Sequence, residues 1–333
     1  MTINISHNLP EEVVWGEFEQ QFSLRNIFHS LEMNRIFQRS GYRVFPVIAY
    51  DNDKICAAAF GVLVKVKSAV SMRFLNRILL YGAPLFSNNE TGKKGLSLVL
   101  ENLRKLGKKH ALFVEIRNHE PLLSEISPES FRNWEYFPYQ NYIVDLSKGK
   151  ESIWECISKY ARNHVRKAEK KGVVIRELTE QEFLKAVNMM EKLYNNKNIP
   201  FIGQNIFHQA WKVFKPSGKI YAIGAFLEEK MIGARFSLPY AETLFDWYAA
   251  SDRAFSKYYP NEALAWATIA HGCDLELSLF DFGGGSLKGQ FYGPGKFKEK
   301  FHGKIVEYGR WRNIGYPTVF KLLTKLYEWR KKG

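Results

Sequence analysis

The sequence predicts an α/β (α+β) protein made of two tandem units of the same design, each a mixed sheet flanked by helices. Its length of 333 residues, 46% of them apolar, suits two cores of ordinary size better than one. Strand-like runs alternate with helical ones along the chain. A succession of three strands, a helix and a closing strand occurs at residues 43–117 and returns roughly 180 residues later, which indicates a duplicated unit.

The first unit is predicted at residues 1–145 and begins with a helical pattern. Apolar residues recur at three- and four-residue spacing from Glu11 to Ser40, and Gly41 ends the pattern. The strand-like runs that follow are RVFPVIAYDN, KICAAAFGVLVKV and RILLYGAPLF. A helix over GLSLVLENLRKLGKKH then leads into the strand ALFVEIRN. We therefore expect a helical entry, a three-strand meander, a helix and a closing strand.

The second unit is predicted at residues 146–333 and returns to this order. It opens with one long helix from Glu151 to Lys171, the strand VVIREL and two further helices. The runs KIYAIGAFLEE, KMIGARFSLPY and ETLFDWYAAS then form a second meander, followed by the helix NEALAWATIAHG and the strand LSLFDFGG. The closing strand of each unit thus ends the same succession of elements.

Positive charge is concentrated in two distant segments. The chain has a formal charge of +14, of which residues 159–176 contribute +6 and residues 288–333 contribute +9, so the remainder is close to neutral. A basic surface built from two segments attracts an anion such as a nucleic acid, a phosphorylated ligand or an anionic membrane. The alternative is a solubilising surface without a partner.

Several classes of protein are excluded by the motifs. Three scattered cysteines cannot build a disulfide framework or a four-thiolate zinc site, and the eight histidines have no metal-ligand spacing. The glycines at 283–285 miss the dinucleotide fingerprint by one residue, and Gly295-Lys296 lacks the flanking residues of a phosphate-binding loop. We therefore expect no metal, no bound cofactor and no nucleotide hydrolysis.

The predicted helix from Glu151 carries a basic face. Apolar residues such as Ile153, Ile157 and Ala161 share one side, and basic residues share another. Guanidinium groups bind phosphate oxygens in a bidentate manner, so the basic side is a candidate seat for a polyanion, with a solvated helix face as the alternative. The candidate residues are Arg162, Arg166, Lys167 and Lys170.

A second basic segment, QFYGPGKFKEKFHGK, is expected to be extended. Alternation along a strand puts its aromatic residues on the core side and its lysines on the other, including Lys296, Lys298 and Lys300. Clustered ammonium groups hold a phosphate or stabilise a developing oxyanion. The alternative is a charged edge strand that deters aggregation.

Two aspartates interrupt apolar strands of the second unit. A carboxylate within a buried strand, as expected for Asp246 and Asp281, has to be hydrogen-bonded or paired, or its pKa rises. The same condition makes a general base. Structural pairing and direct chemistry are both open for each of them.

A resemblance to a known family rests on four stretches and their order. These are WECISKYARNHVRKAEKKGVVI, the second meander, PNEALAWATIAHGCDLELSLFDFGGG and GKFKEKFHG, and they resemble the FemABX peptidyl transferases and related domains of the GNAT superfamily. The stretch IFHSLEMNRIFQRSGYRVFPVIAYDNDKICAAAFGVLVKV is similar to the first domain of that family. The resemblance implies two tandem GNAT-like domains and transfer of an acyl or aminoacyl group to an amine.

The resemblance also implies partners and site residues. In the Fem enzymes the donor is an aminoacyl-tRNA and the acceptor is a peptidoglycan-precursor peptide, which places such proteins in cell-wall biogenesis. Lys298 in FKEKF corresponds to the family's functional lysine near the tRNA terminus and the reacting carbonyl. Arg162 and Arg166 match the basic positions of its R…RKA helix, and Arg35 and Arg39 are candidates for the first-domain contact with precursor phosphate.

We expect the acceptor amine to attack the donor carbonyl directly, because no activated nucleophile is visible in the sequence. Lys298 would stabilise the oxyanion, and Asp246 or Asp281 would orient or deprotonate the amine. Tyr248 or Tyr292 would donate a hydrogen bond.

Two other functions compete with this one. The loop SDRAFSKYYPN lacks the glycine-rich pyrophosphate loop of GNAT enzymes that use acetyl-CoA, which argues against CoA. An acyl-CoA-dependent N-acyltransferase of an amino sugar or small amine is nevertheless the second hypothesis. The third is a non-catalytic protein that binds RNA or a phosphorylated polymer.

The expected partners follow from these hypotheses. The donor is an aminoacyl-tRNA or an acyl-CoA, and the acceptor is phosphorylated and bears an amine. The sequence shows no targeting segment and no apolar run long enough for a membrane span, so we expect a cytoplasmic protein. The basic segments extend this expectation to peripheral contact with the anionic inner face of the membrane.

Overall fold

A computed structural model describes the chain except at a few short segments. The described residues are 3–23, 25–65, 75–118, 131–197, 200–290 and 293–332. By its contacts the chain divides into two units, the first made of Met1–Ser23, Phe28–Tyr139 and Tyr308–Gly333, the second of Leu24–Ile27 and Gln140–Glu307. The sequence predicted a single boundary after residue 145. In the structure the chain also returns to the first unit at Tyr308.

The first stretch of chain contains the predicted helices and strands. Its strands are β1 (Ile3–Ser6), β2 (Arg43–Asp51), β3 (Lys54–Val64), β4 (Arg77–Leu80), β5 (Leu85–Phe86), β6 (Phe113–Arg117) and β7 (Glu135–Phe137). Its helices are α1 (Glu12–Glu19), α2 (Leu31–Arg39) and α3 (Glu90–His110). The helical pattern before Gly41 forms two α-helices, because Ser30 caps α2 by accepting a hydrogen bond from the Met33 amide at 3.1 Å.

The remaining chain completes the second unit and returns to the first. Its strands are β8 (Tyr139–Asp145), β9 (Val173–Glu177), β10 (Tyr221–Leu227), β11 (Lys230–Tyr240), β12 (Thr243–Ser251), β13 (Leu279–Leu287), β14 (Lys304–Glu307) and β15 (Arg310–Ile314). Its helices are α4 (Lys150–Cys156), α5 (Lys159–Lys170), α6 (Glu180–Asn196), α7 (Gln204–Phe214), α8 (Pro260–Asp274), α9 (Gly293–Lys300) and α10 (Pro317–Lys332).

The two sheets confirm the predicted duplication. The first has the order β1-β2-β3-β4-β6-β15-β7, with β5 paired to β3, and the second has the order β14-β8-β13-β12-β11-β10-β9. Each contains an antiparallel meander whose third strand pairs in parallel with the closing strand, β4 with β6 and β12 with β13. A helix, α3 or α8, connects the two parallel strands in each case.

Both faces of the second sheet are covered by helices. On one face, Ala265 and Ile269 of α8 belong to the same core cluster as Phe280 of β13. On the other face, Phe183 of α6 stacks on Phe236 of β11 with ring centroids 4.4 Å apart. Because both faces are buried, the strands read as nearly continuous apolar runs, and a charged residue within them needs a partner or a function.

Two elements differ from the predictions. The long helix expected from Glu151 to Lys171 is divided into α4 and α5, because Ser158 caps α5 by accepting a hydrogen bond from the Ala161 amide at 3.1 Å. The lysine-rich segment expected to be extended forms the helix α9. A proline is compatible with the first helical turn, and Pro294 lies there.

Candidate active site

Lys298 lies inside the second unit and not in an exposed row of lysines. It is 8% exposed, whereas Lys296 is exposed. Because α9 is a helix, side chains two residues apart point in directions about 200° apart, so Lys298 faces away from Lys296 and Lys300. The prediction that these three lysines share one side of an extended segment is therefore wrong.

The ammonium group of Lys298 donates to three successive backbone carbonyls of β13. Its Nζ lies 2.8 Å from the oxygen of Phe282, 3.3 Å from that of Gly283 and 2.8 Å from that of Gly284. At Gly283 the backbone has a φ of +68°, in the region that favours glycine. Lys298 therefore stabilises an unusual backbone conformation in β13.

Lys298 belongs to a buried cluster of two cations and two carboxylates. Burial lowers the pKa of Lys298 to about 8, although Asp246 and Asp281 act to raise it. Burial also raises the pKa of Asp246, against the opposing effect of Arg235 and Lys298. Because Lys298 and Asp246 each act on the pKa of the other, a change at either position alters the protonation of its partner.

Arg235 and Asp246 form an ion pair in which several polar atoms stay unpaired. The Nη2 of Arg235 lies 2.7 Å from Oδ2 of Asp246, and Ser237 is the register partner of Asp246 at a β-bulge. Within the described chain, three buried atoms of this cluster have no hydrogen-bond partner: Nε of Arg235, Oγ of Ser237 and Oδ1 of Asp246. Since buried polar atoms are nearly always paired in folded proteins, these three atoms mark a place where the described chain leaves hydrogen bonds unmade.

The two aspartates lie where two parallel strands stop pairing. β12 pairs with β13 from Thr243–Phe245 against Leu279–Asp281, so Asp281 is the last paired residue of β13 and Asp246 follows the last paired residue of β12. Asp281 is buried, and its Oδ1 accepts a hydrogen bond from the Gly283 amide at 2.7 Å. Both aspartates thus have a partner, and the pKa of Asp246 is raised as well, as the sequence led us to expect of a carboxylate in a buried strand.

Of the two candidate tyrosines, Tyr248 lies among the described residues and Tyr292 does not. Tyr248 is half-buried in an aromatic group, with its ring centroid 5.3 Å from Tyr194, 5.8 Å from Phe201 and 5.0 Å from Phe207. Tyr292 lies outside the described residues.

The basic face of α5 is only partly available to a ligand. Nη1 of Arg162 donates to the carbonyls of Trp154, Glu155 and Ile157 at 3.2, 2.5 and 2.6 Å, and thereby caps the end of α4. Arg162 is thus a structural residue as well as a candidate one. The exposed basic residues of α5 among the candidates are Arg166, Lys167 and Lys170.

The two basic segments of the second unit meet. The Ser158 amide at the start of α5 donates to the Lys300 carbonyl at the end of α9, with a distance of 2.8 Å. The ammonium of Lys300 lies 4.5 Å from the ring centroid of Tyr160 on α5. Residues more than a hundred positions apart in sequence therefore contribute to one basic surface.

The first-unit candidates lie on α2. Arg35 is half-buried and pairs with Glu12 of α1, and Arg39 is exposed at the end of α2. In the described residues, no group of three or more His, Cys, Asp or Glu side chains is arranged to hold a metal ion. None of the described helices has the length and apolar character that a membrane span needs.

Arg235 and Ser237 belong to the cluster but were not predicted from the sequence. Arg235 interrupts the apolar run of β11 in the same way that Asp246 interrupts β12, so the signal was present. Ser237 carries no such signal, because a hydroxyl in a strand is common and only the register shows that it faces Asp246.

Comparison with known proteins finds a similar domain in the second unit and a shared fold over the whole chain. Residues 158–298 match the family described as the acetyltransferase (GNAT) domain. No curated protein sequence matches the chain. The matched segment is similar to a GNAT acetyltransferase domain, and the fold of the whole chain is that of tandem GNAT proteins.

Solved structures share the fold over nearly the whole chain. The crystal structure of FemX has 11% identity and a TM-score of 0.69, covering 96% of this chain and 99% of its own. The structure of L-PGS from Bacillus licheniformis has 16% identity and a TM-score of 0.59, covering 95% and 97%. A tandem GNAT protein from the clavulanic acid biosynthesis pathway has 9% identity and a TM-score of 0.57, covering 94% and 99%. At these identities the likeness concerns the fold.

Proposed function

We propose that the second unit transfers an aminoacyl group from an aminoacyl-tRNA to the amine of a phosphorylated cell-wall precursor. The observation that supports a transfer site here is the set of unpaired buried atoms on Arg235, Ser237 and Asp246. These atoms lie beside the end of the β12–β13 pairing, next to a buried lysine. A ligand that carries both an amine and a carbonyl supplies the donors and acceptors that this cluster lacks.

In this proposal the acceptor amine donates a hydrogen bond to Oδ1 of Asp246. The raised pKa of that carboxyl makes it a stronger base than an exposed aspartate, so it can take a proton from the attacking amine. Asp281, held by the Gly283 amide, keeps a second negative charge nearby. The nitrogen attacks the donor carbonyl, and the ester oxygen of the donor leaves with the electron pair.

Lys298 acts in this proposal by charge and by position. Its ammonium is buried beside both carboxylates and donates to carbonyls of β13, so it orders the strand that borders the reacting groups. A positive charge in a buried site stabilises a developing oxyanion more strongly than it would in water. Tyr248 and Tyr292 stay candidates for a further hydrogen bond to the substrate.

The exposed basic residues of α5 and α9 are proposed to bind the tRNA. Arg166, Lys167, Lys170 and Lys296 are exposed, and Lys300 joins them where α9 meets α5. Such a surface neutralises backbone phosphates, with Arg162 fixing the α4–α5 corner from which it is built. The architecture shared with FemX supports this choice of substrate.

The start of α8 favours tRNA over CoA as the donor. The segment that leads into α8 is a 3-10 helix, Arg253–Tyr258, and Glu262 lies in the first turn of α8. Oε1 of Glu262 lies 3.1 Å from Nδ1 of His164 on α5. A carboxylate in the first turn of a helix repels an incoming pyrophosphate by its charge.

An acyl-CoA-dependent transferase is the second candidate, because the matched family is described as an acetyltransferase domain. Titration calorimetry with acetyl-CoA and with charged tRNA, followed by an assay of transfer to an amine acceptor, separates the candidates. We expect tRNA to bind and its aminoacyl group to be transferred. Binding of acetyl-CoA with transfer of acetyl would establish the second candidate. Binding of tRNA without any transfer would establish a binding protein for RNA.

A further inference from the structure

The first unit holds a second buried charged cluster, at the position equivalent to the candidate active site. Glu115 is the third residue of β6 to pair with β4, and Asp281 is the third residue of β13 to pair with β12. Both are buried carboxylates next to cations. The duplication has therefore kept an acid at one place in both units while the surrounding residues diverged.

Three arginines contact the carboxylate of Glu115. Nε of Arg117 lies 2.9 Å and Nη1 of Arg310 lies 3.3 Å from Oε1, and Nη2 of Arg312 lies 2.5 Å from Oε2. The side chain of Glu115 is 4% exposed, while those of the three arginines are 17–29% exposed. The carboxylate is thus enclosed, and the guanidinium groups reach the surface.

A fourth arginine, Arg77 at the start of β4, faces the same group. Its charge interacts with those of Arg117, Arg312 and Glu115. Its Nε is buried and has no hydrogen-bond partner among the residues that the structure describes. A buried, unpaired guanidinium nitrogen next to other cations is the position that an anion oxygen fills best.

The cluster has an excess of positive charge. Four arginines face one enclosed carboxylate, and Glu135, the register partner of Arg312 on β7, is exposed. Burial, followed by the repulsion from Arg117, lowers the pKa of Arg310 to about 10, although Glu115 acts to raise it. The arginines therefore repel one another, and an anion bound between them relieves this repulsion.

Aromatic rings hold the guanidinium planes in fixed positions. The guanidinium carbon of Arg310 lies 3.4 Å from the ring centroid of Tyr139, and that of Arg312 lies 4.5 Å from the ring of Phe137. Arg117 lies 5.2 Å from the ring of Tyr81. Since these planes are already ordered, binding of a tetrahedral oxyanion costs little further side-chain entropy.

We propose that Arg77, Arg117, Arg310 and Arg312 form a binding site for a phosphate or pyrophosphate group in the first unit. It is distinct from Arg35 and Arg39, which lie on α2.

Titration of the full-length chain with inorganic phosphate and pyrophosphate tests the site. We expect saturable binding of one anion with a rise in the unfolding temperature, and no such effect of acetate. Arg77→Gln should weaken this binding at least tenfold, because Arg77 is the arginine that does not contact the Glu115 carboxylate and can be lost without breaking that ion pair. Arg104→Gln, on α3 in the same unit, removes the same charge and should leave the binding unchanged.

The outcomes separate this proposal from the proposed function. Absence of saturable binding by the wild-type chain, or equal binding by Arg77→Gln and Arg104→Gln, overturns the site. If Arg77→Gln does not fold, Arg77→Lys replaces it in the test. Lysine keeps the charge but lacks the planar guanidinium group, so this variant should bind the anion more weakly than the wild type. If the wild-type chain transfers no aminoacyl group to any amine, the proposed function is overturned. The anion site then stands or falls by the titration alone.

Discussion

At the scale of single residues, Lys298 combines a structural and an electrostatic role. Lys298→Met keeps the length of the side chain and removes its charge and its three donors. We expect the transfer rate to fall by about two to three orders of magnitude, as for loss of an oxyanion-stabilising group. Unsatisfied carbonyls of β13 should also lower the free energy of unfolding by about 1–3 kcal/mol.

Comparison with an exposed lysine distinguishes these effects. Lys296→Met lies on the same helix and should change the unfolding free energy by less than about 0.5 kcal/mol. Single-turnover rates and denaturant titrations of both variants provide the measurement. A Lys298→Met variant with the wild-type transfer rate would remove the lysine from the mechanism.

The protonation of Lys298 gives transfer a characteristic pH dependence. Burial lowers its pKa from 10.5 to about 8, so the charge is lost from the folded chain as the pH rises through 8. We expect the transfer rate to fall over this interval. Stability changes in the opposite sense: between pH 8 and 10.5 the unfolded chain keeps a proton that the folded chain has lost, so the free energy of unfolding rises with pH.

The pH–rate profile of Lys298→Arg tests this assignment, because arginine keeps its charge over the whole interval. Its residual activity should lack the falling limb near pH 8. A falling limb that is identical in the wild type and in Lys298→Arg would assign the titration to another group.

Glu115 also makes the free energy of unfolding rise with pH, but at acid pH. Burial acts to raise its pKa, but Arg117, Arg310 and Arg312 outweigh burial and lower the value from 4.5 to about 2. Its ionised form therefore stabilises the fold above pH 4.5, by about 3 kcal/mol, and this contribution is lost as the pH falls to 2. Glu115→Gln should flatten the acid limb of stability in urea titrations between these pH values. Glu90→Gln, at an exposed position of α3, should leave that limb unchanged.

Residue patterns predicted part of the site and missed the rest for a physical reason. Asp246, Asp281 and Lys298 stand out because a charge in an apolar run, or in a lysine-rich segment, is visible locally. Ser237 becomes relevant only through its register with Asp246, and register is set by the packing of whole strands.

At the scale of elements, the sequence predicted that an element is present better than it predicted whether the element is a helix or a strand, or where it ends. The segment that forms α9 alternates lysine with phenylalanine, which is typical of a strand, but Phe297 and Phe301 are also four residues apart and pack in one core cluster as a helix allows. The spacing fits both periods, and Pro294 in the first turn is the signal that favours the helix. Ser158 likewise marks the division between α4 and α5 as an N-cap residue.

The basic face of α5 predicts a salt-dependent interaction with tRNA. Replacing the exposed Lys167 and Lys170 with Gln should weaken tRNA binding and lower the slope of log Kd against log salt by roughly 0.7–0.9 for each phosphate that is no longer neutralised. Replacing the exposed Lys192 and Lys212 of α6 and α7 with Gln removes the same charge elsewhere in the unit and should leave the slope unchanged. Equal slopes for both double variants would show that α5 does not bind the tRNA. Filter binding over a series of salt concentrations provides the measurement.

At the scale of the whole molecule, the return of the chain to the first unit could not be predicted from local patterns. β15 lies between β6 and β7 in the first sheet, although it is separated from β6 by nearly the entire second unit. Its sequence RWRNI is short and basic and resembles an edge or a loop as much as a central strand. Its partner is fixed by the hydrogen bonds of Arg310 and Arg312 with Glu115, about 195 residues away.

This topology makes the first unit dependent on the C-terminal segment. Truncation after Glu307 removes β15 and leaves Glu115 buried without Arg310 and Arg312, a change that costs about 3–5 kcal/mol before the missing strand pairing is counted. We expect hydrogen exchange to lose protection in β4 and β6 while β10 to β13 keep theirs. Truncation after Tyr316 removes α10 and retains β15, so protection in β6 should persist. Because β15 is the one strand of the described first sheet that follows the second unit, equal protection of β6 in both truncated chains would show that the sheet does not need its returning strand.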